Sequence, residues 1–381
     1  MLQISRKTEG RGLAKALTLS PDQIIDMVEK DGLTGRGGAH FPTGRKWRFT
    51  RAETEEPKIV ICNADEGEPG TFKDRFIIRN HPETLIEGII ITCYAIGAER
   101  AYIYLRAEYE NLLSNLHSAI ERFSDELDNL GIQLDIFMGQ GAYICGDETA
   151  IMNSIEGLRG EPRAKPPYPA KRGVFDKPTC INNVSTLTQV PLLVLEPETW
   201  ENRKLYSLSG NVSKPGVYEY VSGVKAGELI SRGQPEKPIK ALFFGCAGGC
   251  VPYDPELPLS VEALGNKGAM LGSFAVIAVD EEQSIPAICK NITDFFVHES
   301  CGRCTPCREG NYQVLQILKR LLKREGSFSD LAALEDLAEY TQECAFCGLG
   351  QTSMNHITTS LRFFRKEFED LCTSKSTTMV T

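Results

Sequence analysis

Cys301, Cys304 and Cys307 recur at every third position of the run Glu299-Ser-Cys-Gly-Arg-Cys-Thr-Pro-Cys-Arg308. Thiolates spaced this way can converge on one inorganic centre. C-x2-C-x2-C is the usual local spacing of iron–sulfur ligands, which number four. The common continuation supplies the fourth cysteine shortly before a proline, but here Arg308-Glu-Gly-Asn-Tyr312 follows. The fourth ligand must come from a distant segment, and Cys344-Ala-Phe-Cys347-Gly-Leu-Gly350 offers one. Zinc held by four thiolates is the competing chemistry, since it also uses C-x2-C pairs. A third evenly spaced cysteine favours a cubane cluster.

A second chemical signal lies near the start. Gly32-Leu-Thr-Gly35-Arg-Gly37-Gly38-Ala-His-Phe-Pro-Thr-Gly44 holds five glycines in thirteen residues. Glycine allows close backbone approach, so amides in such a loop can converge on a phosphate. Arg36, Arg45 and Lys46 add positive charge. The loop is not the usual dinucleotide fingerprint, because His40 stands at the third glycine position and no strong strand precedes it. A plain surface loop is the alternative. Asn63-Ala-Asp65-Glu66-Gly-Glu68-Pro-Gly70 directly follows an expected strand, where polar residues usually face a ligand crevice; a solvated turn is the alternative. Cys145-Gly-Asp147-Glu148-Thr149 follows another strand and opens a helix, where acids also serve simply as caps. Asn182 and Asn183 follow a proline-rich crossing.

Positioning these groups falls to an alternating first half. Lys58–Cys62, Ala101–Leu105 and Leu134–Met138 read as buried strands, with helices over Pro82–Ala95, Glu108–Leu127 and Asp147–Glu156. Such alternation predicts an α/β fold with a parallel sheet. Residues 159–178 form a long proline- and glycine-rich loop, and such loops tend to be functional. From about residue 204 the chain is β-rich, with a hairpin across Tyr206–Tyr220 turning at Lys214-Pro-Gly216 and strands at Lys240–Phe244 and Ser273–Val279. After Pro286, apolar stripes at helical spacing run through Val314, Leu315, Leu318, Leu321 and Leu322, through Leu331, Leu334 and Leu337, and through Ile357, Leu361, Phe364, Phe368 and Leu371. With Ile292–Glu299 they predict a four-helix bundle whose first and last turns carry the cysteine motifs. The expected blocks are 1–203, 204–285, 286–372 and a polar tail, 373–381.

With 381 residues, 41% hydrophobic and 24% charged, the chain has ordinary globular composition and room for two or three domains. A net charge of −9 argues against nucleic-acid binding. No apolar run has the length of a signal sequence or a membrane span, so direct membrane insertion is not expected. Thirteen cysteines in a leaderless chain predict a reducing, cytoplasmic setting. Cys246 and Cys250, at x3 spacing, read as small buried residues or as an additional metal site. Cys62, Cys93, Cys180, Cys289 and Cys372 read as packing residues.

Seven ordered runs together carry a resemblance: Gly32–Trp47, Asn63–Asp74, Cys145–Ala150, Lys165–Pro169, Ile181–Leu187, Glu299–Gly310 and Cys347–Gly350. The whole chain resembles the flavin-bearing, NADH-oxidising subunit of respiratory complex I, and the diaphorase subunits of NAD-linked hydrogenases, formate dehydrogenases and electron-bifurcating complexes. The resemblance implies a Rossmann-like flavin domain, a small β-grasp domain and a C-terminal four-helix bundle carrying an iron–sulfur cluster. It implies non-covalent FMN, a [4Fe-4S] cluster and NAD(H) as substrate. Gly35, Arg36, Gly37, Gly38 and Lys46 would meet the flavin's phosphate and ribityl regions. Asn63, Asp65, Glu66, Asn182 and Asn183 would hold the ribityl chain and ring edge, and Asp147 would lie near the flavin. Phe41 and Phe49 would flank the adenine. Glu68 and Glu148 would bind the nicotinamide ribose or carboxamide, and Lys165 and Tyr168 would line the same cavity. The cluster would use Cys301, Cys304, Cys307 and Cys347, the last because the family ligand precedes a Gly/Ala-Leu-Gly turn. These are binding and tuning residues, and no side chain is assigned as catalytic.

The departures are His40 where glycine is usual, Tyr168 in place of phenylalanine, and Asp147 where the first of two glutamates is usual. Many hydrogenase-type relatives carry an N-terminal thioredoxin-like domain with a two-iron cluster and some a C-terminal ferredoxin; neither is expected in this sequence, so the resemblance implies a small thioredoxin-like [2Fe-2S] partner and a further iron–sulfur or catalytic subunit. An electron-bifurcating subunit and a flavin-free iron–sulfur adaptor are the alternatives.

Overall fold

The computed structural model describes residues 8–373, so nearly all of the expected polar tail lies outside them. The chain divides into two compact units. The first comprises the residues up to 207 with 217–222 and 272–274. The second comprises 208–216, 223–271 and the residues from 275 onward.

In the first unit, α1 (Arg11–Ala16), α2 (Pro21–Lys30) and α3 (Thr43–Ala52) precede β1 (Lys58–Ala64). Then come α4 (Lys73–Asn80), α5 (Pro82–Ile96) and β2 (Ala98–Leu105), followed by α6 (Leu113–Arg122), α7 (Ser124–Leu130) and β3 (Gln133–Met138). The region closes with α8 (Glu148–Ile155), β4 (Thr179–Asn183), α9 (Val184–Leu187) and α10 (Val190–Leu195). The four strands form a Rossmann-like, wholly parallel sheet in the order β3-β2-β1-β4. Parallel neighbours need crossover connections, and each connection here carries helix.

The centre of this unit is α5. Its sequence is apolar nearly all round, as a fully enclosed helix requires, and thirteen of its fifteen residues are buried. Pro82 opens it, where the missing N–H costs nothing. Gly97, at φ +76°, ends it in the left-handed conformation that glycine adopts without strain. The expected helix over Glu108–Leu127 is instead a 3-10 turn (Ala107–Leu112) followed by α6 and α7, broken at Phe123. Strand β4 carries no expected strand pattern, because Thr-Cys-Ile-Asn-Asn is short and ends polar.

The hairpin appears as β5 (Arg203–Gly210) and β6 (Gly216–Val221). After it come α11 (Ala226–Gly233), β7 (Ile239–Phe243), β8 (Cys250–Pro252), α12 (Val261–Gly265) and β9 (Ala275–Asp280). These strands make a second sheet in the order β6-β5-β9-β7-β8, with β7 antiparallel to both β8 and β9.

In the second unit, α13 (Ile285–Glu299), α14 (Thr305–Leu322), α15 (Phe328–Cys344) and α17 (Asn355–Glu369) are long, and α16 (Gly348–Thr352) is a single short turn. Helix α13 packs on α14 and α17, and α15 packs on the same two, closing a ring of four. Val314, Leu318, Leu321, Leu331, Leu334, Ile357, Leu361 and Phe368 fill its interior. Ser284 caps α13, and Ser327 with Asp330 forms a capping box at α15.

Helix α5 meets α9 at backbone distance. A β-carbon added at Gly88 would lie 2.1 Å from the Leu187 carbonyl oxygen. Gly88→Ala should therefore destabilise the protein by ~1–3 kcal/mol, the usual cost of overpacking a tight core. The urea midpoint measures it, and an unchanged midpoint would contradict so close an approach.

Candidate functional site

In open parallel sheets, ligands bind beyond the carboxyl ends of the strands where the strand order reverses. The order β3-β2-β1-β4 places that reversal between β1 and β4. Asn63 and Asn183 are register partners there, and Cys62 pairs with Asn182. Residues 65–68 and α9 continue from these two strand ends, so the polar segments singled out from the sequence arrive at one place.

Several of them brace the site from within. Asn63 donates from Nδ2 to the Gly146 carbonyl (3.0 Å) and accepts from the Asp65 amide (3.0 Å), tying β1 to the turn before α8. Asp65 is buried against the same turn. Both oxygens of buried Glu66 are engaged: Oε1 accepts from the Asp74 amide (2.8 Å), and Oε2 accepts from the Arg75 amide (2.9 Å) and the Tyr109 hydroxyl (2.9 Å). Burial pushes its carboxyl up to about 7, Asp74 adds to the rise and Lys73 opposes it. Lys73 and Asp74 form an ion pair at 2.7 Å with both side chains almost fully buried. Asn183 joins them, accepting from Lys73 (3.2 Å) and donating to Asp74 (2.7 Å). Asn182 turns to α3 instead, where its Oδ1 accepts from Trp47 Nε1 at 2.9 Å. Asp147 is the N-cap of α8, accepting from the Thr149 (2.8 Å) and Ala150 (3.1 Å) amides. Aspartate is among the best N-caps.

The glycine loop packs onto the same strand ends. A β-carbon at Gly37 would meet that of Asn183 at 3.4 Å. The Arg36 amide donates to Thr186 Oγ1 at 3.0 Å, and Gly35 donates to the Phe41 carbonyl at 2.9 Å. The amides of Gly37 and Gly38 make no hydrogen bond among the described residues, and Gly37 is exposed. They are available to an acceptor from outside the protein. The Arg36 side chain points inward and is fully buried; its Nη2 donates to Asn202 Oδ1 at 3.2 Å. Burial lowers its guanidinium to about 9, with Glu219 opposing. His40 has φ +52°, a left-handed backbone that glycine adopts readily and other residues uncommonly. Its ring meets Phe274 edge-on at 5.5 Å.

Lys46 emerges from α3, donates to the Ile181 carbonyl (3.1 Å) and lies 3.5 Å from Glu148. Lys165, from the proline-rich loop, pairs with the other oxygen of Glu148 at 2.5 Å. Burial would raise the Glu148 carboxyl, but Lys46 and Lys165 outweigh it and hold it below its ordinary value. Phe41, Phe49 and Tyr168 are exposed aromatic faces. Lys46 lies 6.0 Å over Phe41, and Arg45 lies 5.4 Å over Phe49. Glu68 stands partly exposed at the turn after β1.

This donor set fits an anionic aromatic cofactor: free glycine amides and a lysine for phosphate, with aromatic faces for stacking. Sequence reasoning assigned no role to Lys73, Asp74, Tyr109 or Trp47. Adjacent opposite charges opening a helix read as a solvated face, and nothing in their types shows that they are buried.

The cysteine segments sit in the second unit. Cys301 and Cys304 occupy the turn between α13 and α14, Cys304 is the N-cap of α14, and Cys307 lies in its first turn. Burial raises the Cys307 thiol, Ser300 opposes this, and the nearby thiols of Cys304 and Cys301 raise it further. Three thiols that oppose one another's ionisation suit a shared cationic centre. The turn after α15 folds onto them. The Phe346 amide donates to Cys304 Sγ at 3.5 Å, and a β-carbon at Gly350 would lie 3.6 Å from Cys307 Sγ. Cys347 caps α16 in this turn, whereas Cys344 ends α15 and is exposed. Among the described residues, no three His, Cys, Asp or Glu side chains close around a single-ion position. Cys246 and Cys250 are buried, and Cys250 lies in β8.

Comparison with known proteins agrees with both halves. The Nuo51 FMN-binding domain family matches residues 28–192. The iron-sulfur binding region of NADH-ubiquinone oxidoreductase-F matches residues 287–371. The NADH-quinone oxidoreductase F subunit of Streptomyces coelicolor is 40% identical, over 98% of this chain and 88% of the relative. A corresponding NADH-quinone oxidoreductase F subunit of Rhizobium meliloti is 42% identical, over 94% of this chain and 91% of the relative. The crystal structure of an NAD+-reducing [NiFe]-hydrogenase in the H2-reduced state aligns with TM-score 0.89 and 36% identity, covering 95% of this chain. This chain spans 64% of that hydrogenase chain. The chain belongs to the family of NADH-quinone oxidoreductase F subunits, and it carries that family's FMN-binding and iron–sulfur-binding regions.

Proposed function

We propose that this protein exchanges a hydride between NAD(H) and FMN and passes the electrons singly to a [4Fe-4S] cluster, as an NADH dehydrogenase (diaphorase) type subunit of a larger complex. The observation that carries this reading is the pair of free amides at Gly37 and Gly38, held against the switch point of a parallel sheet in a chain that also brings two cysteine segments together. FMN, when bound, supplies the conversion between a two-electron hydride and the single electrons that an iron–sulfur centre takes.

Gly37, Gly38 and Lys46 hold the flavin phosphate, and Gly35 lets the loop turn. Asn63, Asp65, Glu66 and Asn183 shape the floor of the site, Glu66 and Asn183 by holding α4 and its buried ion pair in place. Asn182 and Asp147 act through the elements they fasten, α3 and α8. Phe41, Phe49 and Tyr168 offer stacking faces for the dinucleotide, and Glu68, Glu148 and Lys165 meet its polar groups. No side chain needs to move a proton for hydride transfer, so these residues bind and orient. Cys301, Cys304, Cys307 and Cys347 hold the cluster. In domain terms, 1–203 is the flavin and nucleotide domain, 204–285 a β-grasp domain and 286–372 a four-helix cluster domain. The partners are a small thioredoxin-like [2Fe-2S] subunit and a further iron–sulfur or catalytic subunit. No described helix is long and apolar enough to cross a membrane; the cytoplasmic setting rests on the thiol-rich composition of the chain.

Three experiments test this. Cys347→Ser should abolish the cluster signal in electron paramagnetic resonance while Cys344→Ser preserves it; the opposite pattern would move the fourth ligand to Cys344. Acid-released flavin should chromatograph as FMN, and Gly37→Val should empty the flavin site with the cluster signal intact. Recovery of FAD, or full flavin content in the valine variant, would contradict the assignment of the glycine loop.

The third concerns nucleotide choice. The Glu148 carboxylate engages both Lys46 and Lys165, so it restrains two cations as well as presenting a negative charge near a ribose. NAD(H) should be preferred over NADP(H). Glu148→Gln should release both ammonium groups and shift the kcat/KM ratio toward NADPH by about tenfold, the scale of one hydrogen bond to a charged group. Steady-state reduction of an artificial one-electron acceptor measures it. A wild-type preference for NADPH would overturn the charge argument.

A further inference from the structure

Outside these motifs, Asn202 fastens the glycine loop. Its Nδ2 donates to the Gly32 carbonyl at 3.0 Å, where the loop begins. Its Oδ1 accepts from Arg36 Nη2 at 3.2 Å and from Lys204 Nζ at 2.8 Å. One amide side chain thus grips the loop backbone at Gly32 and the loop side chain at Arg36, immediately before Gly37 and Gly38. The Arg36 guanidinium is fully buried, and its Nε and Nη1 have no hydrogen-bond partner among the described residues. Lys204 is also buried, with its ammonium 5.6 Å over the Phe274 ring. A buried guanidinium, also drawn by Glu219, and a buried amine, pushed down to about 7 by burial and by Arg36, therefore share one neutral oxygen. A hydrogen bond to a charged group is among the stronger ones, and losing it in the interior costs the full desolvation of that group.

The arrangement has a direction. The Arg36 amide is fixed to Thr186 Oγ1 at 3.0 Å, while its side chain is drawn inward to Asn202. The next two amides, of Gly37 and Gly38, have no hydrogen-bond partner among the described residues. Losing Asn202 removes the contacts to the Arg36 side chain and to the Gly32 carbonyl together, so the loop backbone on either side of residues 33–35 loses two anchors.

We propose that Asn202 is a positioning residue for the flavin phosphate loop, setting the backbone path on which the Gly37 and Gly38 amides meet the phosphate. This rests on the reading that the loop binds FMN. The test is FMN titration of the full-length, flavin-depleted protein, followed by quenching of flavin fluorescence. Asn202→Ala should weaken FMN binding by about tenfold or more, the order of one lost hydrogen bond to a charged group. With FMN in excess, kcat should return and KM for NADH should stay within about twofold of wild type, a split that general unfolding does not produce. Asn202→Asp covers the case in which the alanine variant does not fold. It keeps an acceptor for both basic groups, adds a negative charge beside them, removes the donor to Gly32, and should weaken FMN binding in the same direction. FMN affinity equal to wild type in a folded variant, or a kcat that excess FMN does not restore, would overturn the proposal. Failure of the wild-type protein itself to take up FMN would instead overturn the flavin reading on which it rests.

Discussion

A parallel sheet in the order β3-β2-β1-β4 has one place where successive crossovers leave in opposite directions, between β1 and β4. The backbone beyond those two strand ends diverges, and the divergence gives the glycine loop somewhere to lie. The pairing of Asn63 with Asn183 fixes which residues stand at the gap. A slip of one residue would turn Asn183 away and bring Asn182 forward, since side chains alternate across a strand. Trp47 guards against that slip. Its indole nitrogen holds Asn182 on the other side, against α3. The geometry of the site thus depends on a register that is itself locked by hydrogen bonds to both asparagines.

The site is lined by groups that are costly to bury. Lys73, Asp74, Glu66 and Arg36 are all nearly inaccessible. Breaking a buried pair such as Lys73–Asp74 typically costs ~3–5 kcal/mol, although the intact pair contributes little over a well-packed apolar substitute. Such networks hold a particular shape rather than add net stability. Asn183 reads both members of the ion pair at once, with its acceptor on Lys73 and its donor on Asp74. Glu66 uses the first amides of α4 as fixed donors, at the helix end where a carboxylate is favoured. Rigid surroundings of this kind leave few ways for a bound ring to tilt.

The fold is more legible in the sequence than the division of labour within the site. Helix α5 can be read because its start, stop and continuous apolar character leave signals in the residue types. The helices from α13 onward can be read because their stripes recur at helical spacing. Strand β4 cannot, since its five residues carry no alternation. The polar segments stand out as lying after strands, but residue type alone does not tell a ligand from a brace. Asp147 is a cap, and both oxygens of Glu66 are spoken for within the protein. That distinction depends on side-chain direction and burial, which are set by tertiary partners far off in sequence: Tyr109 for Glu66, Lys73 for Asn183, Trp47 for Asn182.

The cysteine region poses the complementary problem of bringing thiols together that have no reason to approach one another unaided. Like-charged thiolates repel, and burial penalises each of them. The helices supply the packing that holds the thiol-bearing segments together. Helices α14 and α15 pack side by side, and each has a cysteine-bearing turn at the same end. Asn311 lies buried one turn further along α14, donating from Nδ2 to the Cys307 carbonyl and approaching its sulfur at 3.6 Å. Ser300 and the Phe346 amide likewise lie close to sulfur atoms. Hydrogen bonds to sulfur favour the ionised form and tune the potential of a cluster held there. The same contacts that gather the thiols are therefore placed to set the energy at which electrons arrive.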